Sequence, residues 1–202
     1  MSEGFFDFYE QRNEEKPLNQ ALFASLDLET TGLYPDVDSI LEVGIILFQN
    51  WSTVDTFHSL VDPERTIPEA VVTIHGIDER AVIGKPTISE LFPAMKKFLG
   101  DAVLVAHNAP FDISFLSAAA DKNGFTFHPA GVIDTRILAK KALPGLPSYS
   151  LQNLAAHLGI QVEEAHRAVD DARVCMELFE IICEKIGGKE LLTADIIEMS
   201  IR

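Results

Sequence analysis

Two acids stand two positions apart in an otherwise apolar stretch, Asp27 and Glu29 in 22-LFASLDLETTGL-33. Side chains alternate along a strand, so both carboxylates project from one face. Beside a core they repel each other and lose solvation. Two further segments place acids against expectation. Asp112 in 105-VAHNAPFDISFL-116 falls in the first turn of a predicted helix, behind Asn108, a candidate cap, and Pro110. In 166-HRAVDDARVCMELFEII-182, helical steps from Asp171 reach Cys175, Leu178 and Ile182, a wholly apolar face. The same steps from Asp170 reach Val174, Glu177 and Ile181. Asp171 therefore points inward and needs a partner from elsewhere, while Asp170 lies nearer the rim. His166 sits at or just before the start of that helix. Asp134, in VIDTR, reads as the cap of a helix beginning at Thr135.

Strand ends and helix starts of an α/β sheet meet at one rim, so Asp27, Glu29, Asp112 and Asp171 are expected to converge. Four hard carboxylates suit one or two Mg²⁺ or Mn²⁺ ions. A Cys/His cluster of the kind that holds structural zinc is missing from the sequence. A metal pair about 4 Å apart activates water and stabilises the leaving oxygen in phosphoryl transfer. Imidazole is the side chain suited to take the water's proton near neutral pH. On this reading the cations offset the repulsion between Asp27 and Glu29.

The elements that must position these groups follow from periodicity. Strands are expected at 22–28, 39–48 and 53–61, the last two as an antiparallel hairpin through 49–52. A short helix at 68–74 ends before His75-Gly76. Apolar spacing predicts a helix over 87–99. There follow a buried strand at 101–106, a helix at 109–123, a brief strand at 132–134 and a helix at 135–142. Helices at 150–158, 168–186 and 190–199 close the chain. Strands come first and then alternate with helices, which indicates an α/β fold with a mixed sheet.

The 202 residues fit one domain, read here as 21–202 with an N-terminal extension at 1–20. In that extension Phe5, Phe6, Phe8 and Tyr9 are candidates for one helical turn docked on the body or on another chain. At 47% apolar and 23% charged the composition supports a sizeable core. No apolar run approaches the ~18 residues of a membrane span, and the acidic N-terminus has no secretory-signal pattern. Cys175 and Cys183 lie about two turns apart on one predicted helix, too far to bridge. A reducing cytoplasm is therefore expected. A net charge of −15 argues against coating duplex nucleic acid, though not against gripping a few nucleotides at a cation-filled site.

With these residues in place, the chain resembles the DEDD superfamily of 3′–5′ exonucleases, in the branch with a histidine in its third motif. That branch includes the proofreading subunit or domain of bacterial replicative DNA polymerases, RNase T and oligoribonuclease. The matching motifs are 27-DLETTG-32, 108-NAPFD-112 and 166-HRAVDD-171, with weaker family-like stretches at 72-VTIHGI-77 and 133-IDT-135. The resemblance runs from about 20 to 186 and selects Asp171 over Asp170, in agreement with helix phase.

The resemblance implies an RNase H-like fold, a five-stranded mixed sheet flanked by helices. It implies that Asp27, Glu29, Asp112 and Asp171 hold two divalent cations and that His166 is the general base. Thr30, Thr31, Leu33, His75, Asn108 and Phe111 become candidates for contact with the terminal nucleotide, Phe111 by stacking. Lys96, Lys97, Arg136, Lys140 and Lys141 are candidates for phosphate contact, or simply solvated helix faces. The implied substrate is a single-stranded 3′ end, DNA ahead of RNA because ETTGL is more like the polymerase-associated proofreaders. The implied partner is a DNA polymerase subunit on another chain. An RNA-trimming exoribonuclease and a non-catalytic polymerase-associated module are the alternatives.

Overall fold

The structure is a computed structural model that describes residues 12–188 and 190–201. The aromatic cluster expected at Phe5–Tyr9 lies outside the described residues. Among those described, five strands form one sheet in the order β3-β2-β1-β4-β5. The central strand is β1 (Leu22–Thr30). It pairs antiparallel with β2 (Ile40–Gln49) and parallel with β4 (Val103–Ala106). The hairpin partner β3 (Ser52–Leu60) forms one edge and β5 (Val132–Asp134) the other. The mixed sheet expected from the sequence is thus present, with the acid-bearing strand at its centre.

Alternation along β1 sends its side chains to two cores. Ala24, Leu26 and Leu28 pack with β2 residues Val43 and Ile45 and with two helices, α3 (Ile88–Leu99) and α4 (Pro110–Lys122). Phe23 faces the other way, into a core shared by α5 (Thr135–Ala142), α6 (Leu151–Leu158) and α7 (Ala168–Ile186). The Ser25 hydroxyl, on the same face as Phe23, donates to the Ala172 carbonyl of α7 at 2.7 Å. Asp27 and Glu29 continue that second face. They therefore emerge where α7 begins.

One glycine makes this approach possible. Gly44 on β2 stands opposite Asp27 in the ladder. A Cβ at Gly44 would lie 2.2 Å from the Ala168 carbonyl carbon, so the first turn of α7 rests directly on the strand. That contact carries Asp171 toward Asp27. A register shift after Glu29 then ends the regular β1–β2 pairing.

Helix boundaries differ from expectation by a few residues. The first helix, α1, is Glu69–His75, the short α2 (Glu79–Val82) was not foreseen, and the last, α8, is Thr193–Ile201. Four residues of α2 are too few for apolar periodicity to register. Residues 12–20 lie on the body. Leu18 is fully buried, and Asn13 bridges the Asp101 carbonyl (3.0 Å) and the Leu22 amide (3.1 Å).

Candidate active site

Three structural boundaries meet at the C-terminal end of β1. Asp27 and Glu29 come from the strand itself. Asp112 comes from the first turn of α4, which follows directly on β4, and Asp171 from the first turn of α7. His166 precedes α7 in a left-handed conformation (φ 61°), rare for a residue with a Cβ. Its backbone N–H donates to Asp171 Oδ2 at 3.1 Å, and Gln152 of α6 donates to Asp171 Oδ1 at 3.3 Å. A ring nitrogen of His166 and carboxylate oxygens of Glu29 and Asp171 lie within 4.8 Å of one another. All five predicted groups line one open cleft of about 590 Å³.

The electrostatics of this cluster are unfavourable in the protein alone. Burial drives the Asp27 carboxyl well above its ordinary range, and Asp112, Asp171, Glu29 and Glu42 add to the rise. Glu29 is pushed up to about 8 by burial and then by Asp171 and Glu42, against a lowering by Arg167. Burial also lifts Asp112 to about 8, although the amides of Asp112 and Leu28 pull it down. Asp171 rises to about 6 through burial, with the His166 amide and ring opposing. Among the described residues, no Lys or Arg forms an ion pair with these four. Grouped oxygen donors that disfavour their own charge fit divalent cations, which would stabilise that charge.

The other predicted residues divide into two groups. Asn108 and Phe111 line the cleft. Asn108 does not cap α4 as expected. It takes a left-handed conformation (φ 69°), its amide donates to Asp134 Oδ1, and its side-chain oxygen accepts from Arg136 at 3.2 Å. Thr30, Thr31, Leu33 and His75 are not among the cleft-lining residues. The Thr30 hydroxyl donates to the Gly32 carbonyl, and that of Thr31 is engaged by Asp38 and the Ser39 amide. Leu33 is 73% exposed on the turn after β1. His75 is buried, its Nδ1 accepting from the Ile77 amide. Asp134 caps α5 as expected, accepting from the Arg136 and Ile137 amides.

Residue spacing did not disclose several supports of the site. Glu42 is 1% exposed and stands opposite Glu29. It accepts from Arg167 (Nη2 at 2.9 Å), the Ala168 amide (3.1 Å) and His58 (2.7 Å). Arg167 and Ala168 directly follow His166, so these bonds fasten the start of α7 beside it. Burial pulls the Glu42 carboxyl up, but Arg167, the Ala168 amide and His58 together bring it below its ordinary value. His107 bonds Thr135 Oγ1 and the Tyr149 carbonyl, both at 2.9 Å, and so ties the 147–150 wall of the cleft to the sheet. The one available signal for Glu42 was an acid inside an apolar strand, the same anomaly that marks Asp27.

Comparison with known proteins supplies the family. The RNase_T family model, described as exonuclease, matches residues 25–179, more than half of the chain. The chain belongs to this exonuclease family. Similar proteins include the DNA polymerase III subunit epsilon of Treponema pallidum, 42% identical over 161 residues, covering 78% of this chain and 74% of the relative. The PolC-type DNA polymerase III of Clostridium perfringens is 38% identical over 164 residues, or 81% of this chain but only 11% of that much longer protein. Among solved structures, exonuclease X in complex with 5′-overhanging duplex DNA aligns with a TM-score of 0.69 and 28% identity, covering 87% of this chain and 99% of that one. The five-stranded sheet with flanking helices is the RNase H-like exonuclease fold, and a nuclease, a phosphodiester hydrolase, is the enzyme that this family and fold identify.

Proposed function

We propose that this exonuclease is metal-dependent and releases nucleoside monophosphates from the 3′ end of single-stranded DNA, in proofreading or repair. The observation that carries the reading is the convergence of four cation-deficient carboxylates and His166 in one open cleft. Supporting it, relatives are named as a DNA polymerase III epsilon subunit and as a 3′–5′ exonuclease, and a solved neighbour holds duplex DNA. These names favour DNA over the exoribonuclease alternative, and the retained acids and histidine count against a binding-only module.

Asp27, Glu29, Asp112 and Asp171 would hold two Mg²⁺ or Mn²⁺ ions, which supply Lewis-acid stabilisation of phosphoryl charge and lower the pKa of bound water. His166 accepts the proton of the attacking water on a ring nitrogen. The water oxygen bonds to the terminal phosphorus as the bond to the upstream O3′ breaks, and that leaving oxygen takes a proton from solvent to become the new 3′-hydroxyl. The left-handed backbone at His166, the hydrogen bond from its backbone N–H to Asp171 and the Glu42–Arg167 clamp fix where that ring sits. Phe111 offers a face for the terminal base and Asn108 a polar edge. The turn carrying Thr30, Thr31 and Leu33 approaches the nucleotide through its backbone and the exposed Leu33, with His75 beneath it. A single domain over 21–202 carries the activity, 1–20 being a short extension. The protein works in the cytoplasm and serves a DNA polymerase. No helix among the described residues is long and apolar enough to cross a membrane.

The test uses 5′-labelled DNA and RNA oligomers of one sequence, each with Mg²⁺, Mn²⁺ or EDTA and with an Asp27→Ala control. A one-nucleotide ladder on DNA that needs both metal and Asp27 is expected. A faster ladder on RNA would shift the substrate class, and no ladder on either would overturn the reading.

A further inference from the structure

Of the five cations considered as phosphate contacts, the structure separates two. Lys96 is held by Thr126 Oγ1 at 2.8 Å, and Lys141 donates to the Met199 carbonyl. Neither lines the cleft, and nor does Lys97. Arg136 and Lys140 do, four positions apart on α5 and therefore on one helix face, a turn of about 5.4 Å from each other.

Helix stability does not explain Arg136. It stands in the first turn of α5, where the helix dipole disfavours a cation. Its one side-chain partner among the described residues is the neutral Asn108 Oδ1, at 3.2 Å. Lys140 has no hydrogen-bond or ion-pair partner among the described residues and is exposed. In a chain of net charge −15, two cations without a carboxylate partner facing the acidic cleft are unexpected unless an external anion meets them. The scissile phosphate belongs at the carboxylates, so these cations suit a different phosphate.

We propose that Arg136 and Lys140 form a subsite for the backbone phosphates of the nucleotides immediately 5′ of the terminal one. The subsite rests on the exonuclease reading and deepens it. It explains how an acidic protein retains a polyanionic strand, by two local contacts beside the site instead of a basic surface. Arg136, through Asn108, also joins this track to the edge of the terminal nucleotide's position.

The test compares two substrates in Mg²⁺. One is the p-nitrophenyl ester of thymidine 5′-monophosphate, which carries a single phosphate and nothing upstream. The other is single-stranded oligothymidylate. The Arg136→Gln/Lys140→Gln double variant is expected to lose roughly tenfold or more in kcat/KM on the oligomer beyond any loss on the ester, mostly in KM. The salt slope of log KM should shrink by about 1.4, 0.7 for each contact removed from a single strand. Placing a neutral methylphosphonate upstream of the scissile linkage should close the gap between wild type and variant. Lys97→Gln, which changes net charge equally to either single variant, should leave both substrates unaffected. Equal losses on ester and oligomer, or no loss on the oligomer with an unchanged melting temperature, would overturn the subsite. Wild-type protein inactive on both substrates would instead overturn the exonuclease reading on which it rests.

Discussion

Glu29 and Glu42 stand opposite each other across the β1–β2 ladder, both close to the start of α7, yet their surroundings push them in opposite directions. Burial raises Glu29 to about 8, and its carboxylate neighbours add to the rise. Burial opposes Glu42 as well, but Arg167, the Ala168 amide and His58 bring it below its ordinary value. The two form a natural internal control. Where the chain supplies its own cation and donors, a buried acid fastens the structure. Where it gathers acids, with Arg167 only partly opposing the rise at Glu29, their charge stays disfavoured. The Glu42 cluster is thus a clamp, and the Asp27 cluster is the proposed cation site beside it.

The sharpest way to break this distinction is to mutate both sides. Asp27→Ala or Asp112→Asn is expected to cut kcat by on the order of 10³-fold or more. Neither should lower the melting temperature of metal-free protein, since each removes a carboxyl whose ionisation burial and acidic neighbours already disfavour. Thermal melts in EDTA beside nuclease assays check the pairing, and a large loss of stability in either variant would refute it.

Gly44→Ala should come next in size. Its methyl would strike the Ala168 backbone, so a loss of about 2–3 kcal/mol is expected, with lower activity as Asp171 is pushed from the cluster. Urea denaturation reads the first effect and turnover the second. Glu42→Gln should then cost about 2 kcal/mol by leaving Arg167 with a weaker partner. It should reduce kcat roughly tenfold through the His166 loop, with Arg167→Lys intermediate. Unchanged stability for Glu42→Gln would remove the clamp from the account.

A further effect, which needs no substitution, is the pH dependence of metal-free stability. Carboxylates of the unfolded chain lose their protons near pH 4, whereas folded Asp171 holds its proton to about 6 and Glu29 and Asp112 to about 8. Between those limits the native state binds more protons, so stability falls as pH rises. The lowered groups Glu42 and Asp170 act in the reverse sense, and their contribution is lost only as pH falls below the ordinary carboxylate range. In EDTA the melting temperature should drop steadily between about pH 5 and pH 8. Added Mg²⁺ or Mn²⁺ should recover more at the higher pH. A flat profile would indicate that the acids are not forced together.

Much of this site was legible from residue types alone, because carboxylates inside apolar runs contradict local burial. Helix phase separated Asp171 from Asp170, and the structure places the first at the cleft and the second on Arg173. Partnerships across long sequence separations were not legible. Glu42 and Arg167 meet only because Gly44 lets α7 descend onto β2, a packing event without a local signature. Asn108 was misread because Asn before Pro-x-Asp resembles a cap, whereas the amide of Asn108 is drawn to Asp134 at the end of a neighbouring strand. The hairpin was visible as two strand runs about a short turn. The central place of β1 depends on its parallel pairing with β4, which residue spacing does not specify.

The most direct test of the central claim is calorimetric titration of Mn²⁺ into metal-free protein near pH 7, in buffers of different ionisation enthalpy, beside Asp27→Ala. Saturable binding with net proton release is expected, because burial holds Glu29 and Asp112 toward the protonated form. The variant is expected to lose that binding. Absence of saturable binding, or equal binding by the variant, would contradict the assignment of the carboxylate cluster as a cation site.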